Sequence, residues 1–397
     1  MTTTEATLNR RGFARRSAAL AGLGGLGALA GCAVARPGDG LTGPPRQPPL
    51  AMKVDRLFDL TTCLRPFRAA GPRLDVEVVG TTRVVHNYGH GGSGWSLSWG
   101  SGAVAVSRAM ETSPKSIAVI GCGALGLTAA ILAQRAGAAV TIYARDLLPD
   151  ARSSRATGTW SPDSRIALTS AAAPGFGDLW ETMARRSFKS FRNFLGLPGS
   201  PVEWTDRFSV FDSPDEVARP RRETPAGALE FAAYSDRIRD LTPREELTPR
   251  ALTPFAPEVI YRSQSMTFNI PAYGRRLMDD FLLAGGRFVR REFNAPQEIA
   301  SLPEPVVINC PGYEARRLWG DASIVPVRGQ ISWLIPQVEA LYGVYWRGVS
   351  VLSRRDGVVV QDMRGGDMRG YGDSNETPDR KEGEDAVRLM AGLFARS

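Results

Sequence analysis

Ile117-Ala-Val-Ile-Gly121-Cys-Gly123-Ala-Leu-Gly126 joins a short apolar run to a G-x-G-x-x-G spacing. Ile117–Ile120 reads as a buried strand, and Leu125 to Ala136 repeats Ala, Leu and Ile at i, i+3 and i+4, the period of a helix packed on one face. Gly137 is a helix stop, and Val140–Ala144 is a second strand, so Lys115–Asp150 reads as the start of a βαβ unit. A glycine triplet placed between strand and helix is the dinucleotide-binding context. The amides of Gly121, Gly123, Ala124, Leu125 and Gly126 face a pyrophosphate there, and the helix dipole favours its charge.

A second glycine cluster lies upstream in Arg83-Val-Val-His-Asn-Tyr-Gly-His-Gly-Gly-Ser-Gly-Trp-Ser-Leu-Ser-Trp99, which also carries both histidines of the chain, His86 and His90. Gly91, Ser93, Gly94, Trp95 and Ser96 open a helix expected from about Trp95 to Ala109. Two helix-opening glycine loops point to a large cofactor held at both ends. Beyond Asp150, Ser153, Ser154, Thr157 and Gly158 form a polar loop able to run along it. The ribose-binding acid expected on the second strand falls on Arg145-Asp146, with Asp146 displaced by one position. Residues 165–262 show no βα rhythm and read as a mixed substrate-side region. Gly329–Ile335 and Val358–Gln361 read as antiparallel strands.

Of the 397 residues, 43% are hydrophobic and 23% charged, which is the balance of an ordinary globular protein. The net charge of +8 is partly that of Arg10, Arg11, Arg15 and Arg16, and the rest is scattered without a basic run, which argues against nucleic-acid binding. Arg10-Arg11-Gly12-Phe13 is a twin-arginine pattern. The run Ala18–Ala30 suits an export signal, and Leu29-Ala30-Gly31-Cys32 is a lipoprotein-like cleavage box that makes Cys32 a lipid anchor. The expected location is therefore the periplasmic side, with a membrane-anchored lipoprotein exported by the twin-arginine route. Cys63, Cys122 and Cys310 remain, an odd number without C-x-x-C spacing, so no disulfide framework is expected. No metal-ligand cluster is legible either; both histidines are expected to be structural or to pack against the cofactor.

These pieces resemble the D-amino-acid oxidase group of FAD-dependent oxidoreductases. The resemblance rests on Ala118-Val-Ile-Gly-Cys-Gly-Ala-Leu-Gly-Leu, Ile142-Tyr-Ala-Arg-Asp, Val307-Ile-Asn-Cys-Pro-Gly, Val327-Arg-Gly-Gln-Ile, Arg354-Arg-Asp-Gly, Leu64-Arg-Pro-Phe-Arg and Val85-His-Asn-Tyr-Gly-His-Gly-Gly. Their order is permuted: the last two pieces close the chain in the group, whereas here residues 60–108 precede the nucleotide strand. The resemblance implies an α/β fold with a Rossmann-like FAD-binding domain and an α+β substrate domain built on a mixed, largely antiparallel sheet. Residues 1–32 would be the signal and 33–51 a linker. The FAD-binding domain would comprise 64–164 and 263–323, and the substrate domain 52–63, 165–262 and 324–397.

The resemblance also implies FAD as cofactor and an amino acid as substrate, with O2 or another acceptor taking the electrons. Arg65 would bind the substrate carboxylate, the carbonyl of Gly92 its amine, and Tyr345 would stand at the substrate site. The group's two pocket tyrosines fall here on Ser350 and on Trp346 beside Tyr345, so the cofactor half matches better than the substrate half. Arg347 and Arg354 would favour an acidic substrate. A dehydrogenase of another small amine using a membrane acceptor, or a non-catalytic flavin-binding protein, fits the same residues.

Overall fold

A computed structural model describes residues 47–218 and 229–395, so the twin-arginine pattern, Cys32 and most of the expected linker lie outside the described residues. The strands are β1 (Leu57–Arg68), β2 (Val76–Val79), β3 (Thr82–His86), β4 (Ser116–Ile120), β5 (Ala139–Ala144), β6 (Val202–Phe211), β7 (Glu246–Leu247), β8 (Val259–Phe268), β9 (Arg287–Arg290), β10 (Val306–Asn309), β11 (Ile324–Leu334), β12 (Tyr342–Trp346), β13 (Val349–Arg354) and β14 (Gly357–Asp362). They form a six-stranded sheet in the order β2-β3-β10-β4-β5-β9 and an eight-stranded sheet in the order β1-β11-β14-β13-β12-β6-β8-β7.

In the first sheet β3, β10, β4, β5 and β9 run parallel, and only the edge strand β2 is antiparallel. Strands buried on both faces need near-continuous apolar runs, and β4 and β10 supply them as Ile-Ala-Val-Ile and Val-Val-Ile. Helix α1 (Gly94–Ala109) returns the chain from β3 to β4, and α2 (Ala124–Arg135) returns it from β4 to β5. Their apolar faces, with Leu97, Ala105, Leu127 and Ile131, share one core with Val119 and Ile308 of the sheet. Strands β3, β10 and β4 end level, with Asn309 paired to both His86 and Ile120. Three loops therefore emerge side by side at the carboxyl edge, where ligands of such sheets bind.

The second sheet is antiparallel except for the β12–β6 pair. Strand β1 pairs with β11 along its whole length, placing Arg65 opposite Val327. Both β1 and β8 belong wholly to this sheet. The changes between the two halves therefore fall after Arg68 and Phe268, not at residues 64 and 263. The linker also ends earlier than residue 51. Leu50 is buried, the Tyr342 hydroxyl donates to the Pro48 carbonyl, and the Ala51 N–H donates to Gln337. No helix among the described residues is long and apolar enough to cross a membrane.

Candidate active site

The three loops at the carboxyl edge surround two adjoining cavities of about 160 and 360 Å³, which share Arg152, Ser153, Gly312 and Tyr313 and so form one cleft. The smaller cavity lies over Gly121 and Gly123 and reaches Arg145 and Asp146. The larger passes Ala124 and Leu125 at the start of α2 and Gly91, Gly92, Gly94 and Trp95 at the start of α1. It ends against Arg65, Tyr345 and Ser350 of the second sheet. Neither helix has a side-chain cap or an acidic residue in its first turn, so both positive ends stand open to an anion. A Cβ at Gly94 would meet no atom within 4 Å, which leaves the cleft unobstructed at the start of α1.

Both glycine loops are held by their own chemistry. Gly126 brings α2 against the Gly121 carbonyl, where any Cβ would collide with the oxygen. Gly91 adopts φ +54° with its Cα against the Arg165 carbonyl, a position that excludes a side chain. The Gly92 N–H and the Ser93 hydroxyl both donate to the Ser164 carbonyl, clamping this loop to the segment after β5.

The structure brings Arg65, Gly92 and Tyr345 to one cavity, and Gly121, Gly123, Ala124, Leu125, Arg145, Asp146, Ser153, Gly91, Gly94 and Trp95 to the cleft. It does not bring Ser93, Ser96, Ser154, Gly126 or Gly158 there. Ser96 accepts from the Ser161 N–H, Gly158 packs against the Phe268 carbonyl, and Gly126 serves helix–strand contact. Asp146 is engaged by Arg145 at 2.8 Å.

Sequence reasoning missed Arg152, Arg165 and Tyr313. Arg152 sits where the two cavities join, bound to Glu376 at 2.7 and 2.8 Å and stacked 5.4 Å over the Tyr313 ring. Its signal was its place beside Ser153 in the polar loop. Tyr313 follows the Cys-Pro-Gly turn of β10 directly.

The expectation for Arg347 and Arg354 is corrected. Arg347 is exposed and paired with Asp212, while Arg354 is buried, bound to Asp356 and to the Ala156 and Thr157 carbonyls, and packed over Trp333. Neither lines the cleft.

His86 is buried between Tyr88 and Trp319, and its Nε2 lies 3.2 Å from Glu77. His90 lines the larger cavity at 1% exposure. Its Nε2 lies 2.7 Å from the Ser101 hydroxyl, which donates to Asn87 Oδ1 at 2.5 Å, so the neutral ring carries its proton on Nε2. Burial pushes its pKa down to about 3. In the unfolded chain the ring takes up a proton near pH 6.5, so this contribution is whole above that pH. It is lost as pH falls from 6.5 toward 3, at about 1.4 kcal/mol per unit. Denaturant unfolding is expected to show the wild type losing about 2 kcal/mol more than His90→Gln between pH 7 and pH 5. Equal losses would remove this account.

Residues 116–396 match the family of FAD dependent oxidoreductases (DAO), and the chain belongs to that family. The cofactor of the family is FAD, and the open helix ends and side-chain-free loops of the cleft suit a long dinucleotide. Among known proteins the chain is similar to the D-amino-acid oxidase of Rubrobacter xylanophilus, at 30% identity over 215 residues, covering 54% of this chain and 57% of that protein. It is also similar to the D-amino-acid oxidase of Dictyostelium discoideum, at 24% over 286 residues, covering 70% and 72%. The match thus spans little more than half the length of the first relative. The solved glycine oxidase of Geobacillus kaustophilus overlays with a TM-score of 0.47 at 12% identity, covering 70% of this chain and 77% of that one.

Proposed function

We propose that the protein oxidises an amino acid at its Cα–N bond, giving the imine and, after hydrolysis, a 2-oxo acid and ammonia. O2 would be reduced to hydrogen peroxide. The observation that carries this reading is Arg65, whose guanidinium donates to the Arg328 carbonyl at 3.3 Å and lines the same cavity as the α1 glycine loop. Bound FAD supplies the two-electron acceptor. Arg65 grips the substrate carboxylate through two parallel N–H bonds, and the Gly92 carbonyl accepts from the amine and fixes which face of Cα is presented. The positive end of α1 offsets negative charge that develops beside it. Tyr345, 44% exposed at the outer wall, keeps its phenol proton at neutral pH, because burial and Glu216 raise its pKa.

The deciding experiment is an anaerobic visible titration of the full-length holoprotein with D- and L-amino acids. Bleaching of the bound flavin by one of them is expected. Flavin that stays yellow throughout would overturn the reading.

The chain is also proposed to be a circular permutant. The family match begins at the first residue of β4, while β3 and α1 lie before it. The helix Arg380–Phe394 ends in the cluster that holds Leu50, Val54 and Leu57, so the step from that helix to β1 is short. A chain beginning at Lys115, with residues 52–112 joined behind Ala395 by a short Gly/Ser linker, is expected to fold and bind FAD stoichiometrically. An insoluble or flavin-free product alongside a normal parent would count against this.

The twin-arginine pattern and Cys32 support export and lipid anchoring. Labelled fatty acid should enter the wild-type chain and not Cys32→Ala; label in both would exclude Cys32 as the anchor.

A further inference from the structure

Paired residues of neighbouring strands share a face, so the register of the eight-stranded sheet shows which side chains stand behind the larger cavity. Leu352 of β13 pairs with Gly343 of β12, and Gly343 pairs with Arg207 of β6. Tyr345 pairs in the same way with Ser350 and with Ser209. Leu352, Tyr345 and Ser350 line the cavity, which puts Arg207 on the face that forms its floor. Thr159 continues that face on the other side: it lines the cavity and pairs with Thr267 of β8.

Arg207 is a buried charge that no carboxylate answers among the described residues. Its Nη2 donates to the Thr267 hydroxyl at 2.7 Å, while its Nε and Nη1 are buried and meet no acceptor among those residues. The carboxylates beside it on β6 are already engaged: Glu203 by Arg355 at 2.7 Å and Asp206, on the opposite face, by Arg262 at 3.0 Å. Arg152 and Arg165 of the cleft differ in this respect, since Glu376 pairs with the first and Asp367 with the second. Burial alone lowers the Arg207 pKa, to about 10, so the group stays protonated at neutral pH.

The sheet makes room for this side chain. A Cβ at Gly343 would lie 2.7 Å from Nη1 and 2.8 Å from Cδ, so a glycine on β12 is what lets the arginine reach across it. An unpaired buried charge costs stability. The use the fold can make of it is electrostatic, because the field of such a charge crosses an apolar wall with little screening. The wall here is thin: Leu352 and Tyr345 flank Gly343 on one side, and Thr267 joins Arg207 to Thr159 on the other.

We propose that Arg207 is a positioning charge of the larger cavity: from behind the wall of Tyr345, Leu352 and Thr159 it favours a carboxylate ligand over its neutral isostere without touching it. That the carboxylate belongs to an oxidisable amino acid rests on the reading above. The effect of Arg207 on anion binding stands apart from that reading.

The test uses the full-length holoprotein with propionate and propionamide as probes, read by the visible spectrum of the bound flavin and by the shift of the thermal midpoint. Arg207→Met removes the charge and keeps an unbranched side chain. It is expected to weaken propionate about tenfold and propionamide by less than about twofold. Its own thermal midpoint should stay level or rise by about 2 °C, because an unpaired buried charge is gone; a merely structural arginine would lower it and leave propionate alone. Arg276→Met, which removes an exposed charge paired with Asp280, should change neither affinity. Where Arg207→Met does not fold, Ser263→Asp decides. Ser263 lies directly opposite Arg207 on β8, so an aspartate there supplies the missing partner and should weaken propionate by a similar factor. Propionate affinity within about twofold of wild type in either folded variant overturns the proposal. So does a wild type that binds propionate no better than propionamide. Propionate binding lost in Arg207→Met, in a holoprotein whose flavin no amino acid bleaches, would keep Arg207 in its role and remove the oxidase reading. Bleaching by an amino acid, with propionate binding untouched by Arg207→Met, would do the reverse.

Discussion

Arg65→Met should lower kcat/KM for the proposed amino-acid substrate by about 10²–10³-fold while FAD remains bound, because truncating one partner of a buried charge pair costs roughly 2–5 kcal/mol. The geometry makes Arg65 hard to replace. It projects from β1, whose eleven-residue pairing with β11 fixes its height above the sheet. Gly329 on the neighbouring strand leaves room for the guanidinium, since a Cβ there would overlap its nitrogens. Burial lowers the Arg65 pKa, and a guanidinium still keeps its charge in proteins, so a carboxylate that displaces the last water meets that charge in a low dielectric. Arg65→Lys keeps the charge but loses the planar fork, and recovery should remain partial. Single-turnover reduction and product formation separate this from a folding defect. A variant that binds flavin and turns over within threefold of wild type would remove Arg65 from the substrate site.

The second large effect is at Gly126. Gly126→Ala places a methyl carbon against the Gly121 carbonyl oxygen, so either α2 backs away from β4 or the loop opens. Overpacking of this kind costs about 1–3 kcal/mol in a side-chain core and more where both partners are backbone. The loop amides would leave their places along the pyrophosphate, so FAD affinity should drop at least about 100-fold, an expectation that rests on the loop's anion-binding role. Isothermal titration of the apoprotein reads this directly. Unchanged affinity would mean that the cofactor does not depend on this loop. Gly137→Ala is the control: its φ of +97° is strained for alanine, but nothing lies within 4 Å and it is remote from the cleft.

The cofactor half of the cleft was legible because its signals are local. A strand, a glycine loop and a helix are consecutive in Ile117–Arg135, and the period of the apolar residues names each element. The observed helix Ala124–Arg135 differs from the expected one by a single residue at each end. Gly94–Ala109 differs from its expectation only at the first residue. The hydrogen-bond partners of the serines were not legible. Ser93 and Ser96 are expected at the cofactor from their place in the Gly91–Ser96 loop; the backbone of the Ser161–Arg165 segment engages both.

The charge partners of the arginines were not legible. Arg347 and Arg354 looked like substrate groups in a string of residues, yet Asp212 and Asp356 already hold them. Arg165 carried no signal, because its partners Gly366 and Asp367 lie far along the chain. Their meeting is a property of the folded charge distribution.

By itself, then, the sequence determined the class of fold and the strand–loop–helix of Ile117–Arg135, since these follow from patterns a few residues long. Only the tertiary structure decided that β1 lies in the second sheet and brings Arg65 to the cleft formed by the loops of the first. The physical reason is that hydrophobic periodicity is written along the chain, whereas compensation of buried charge is settled by whichever distant carboxylate folding brings within reach.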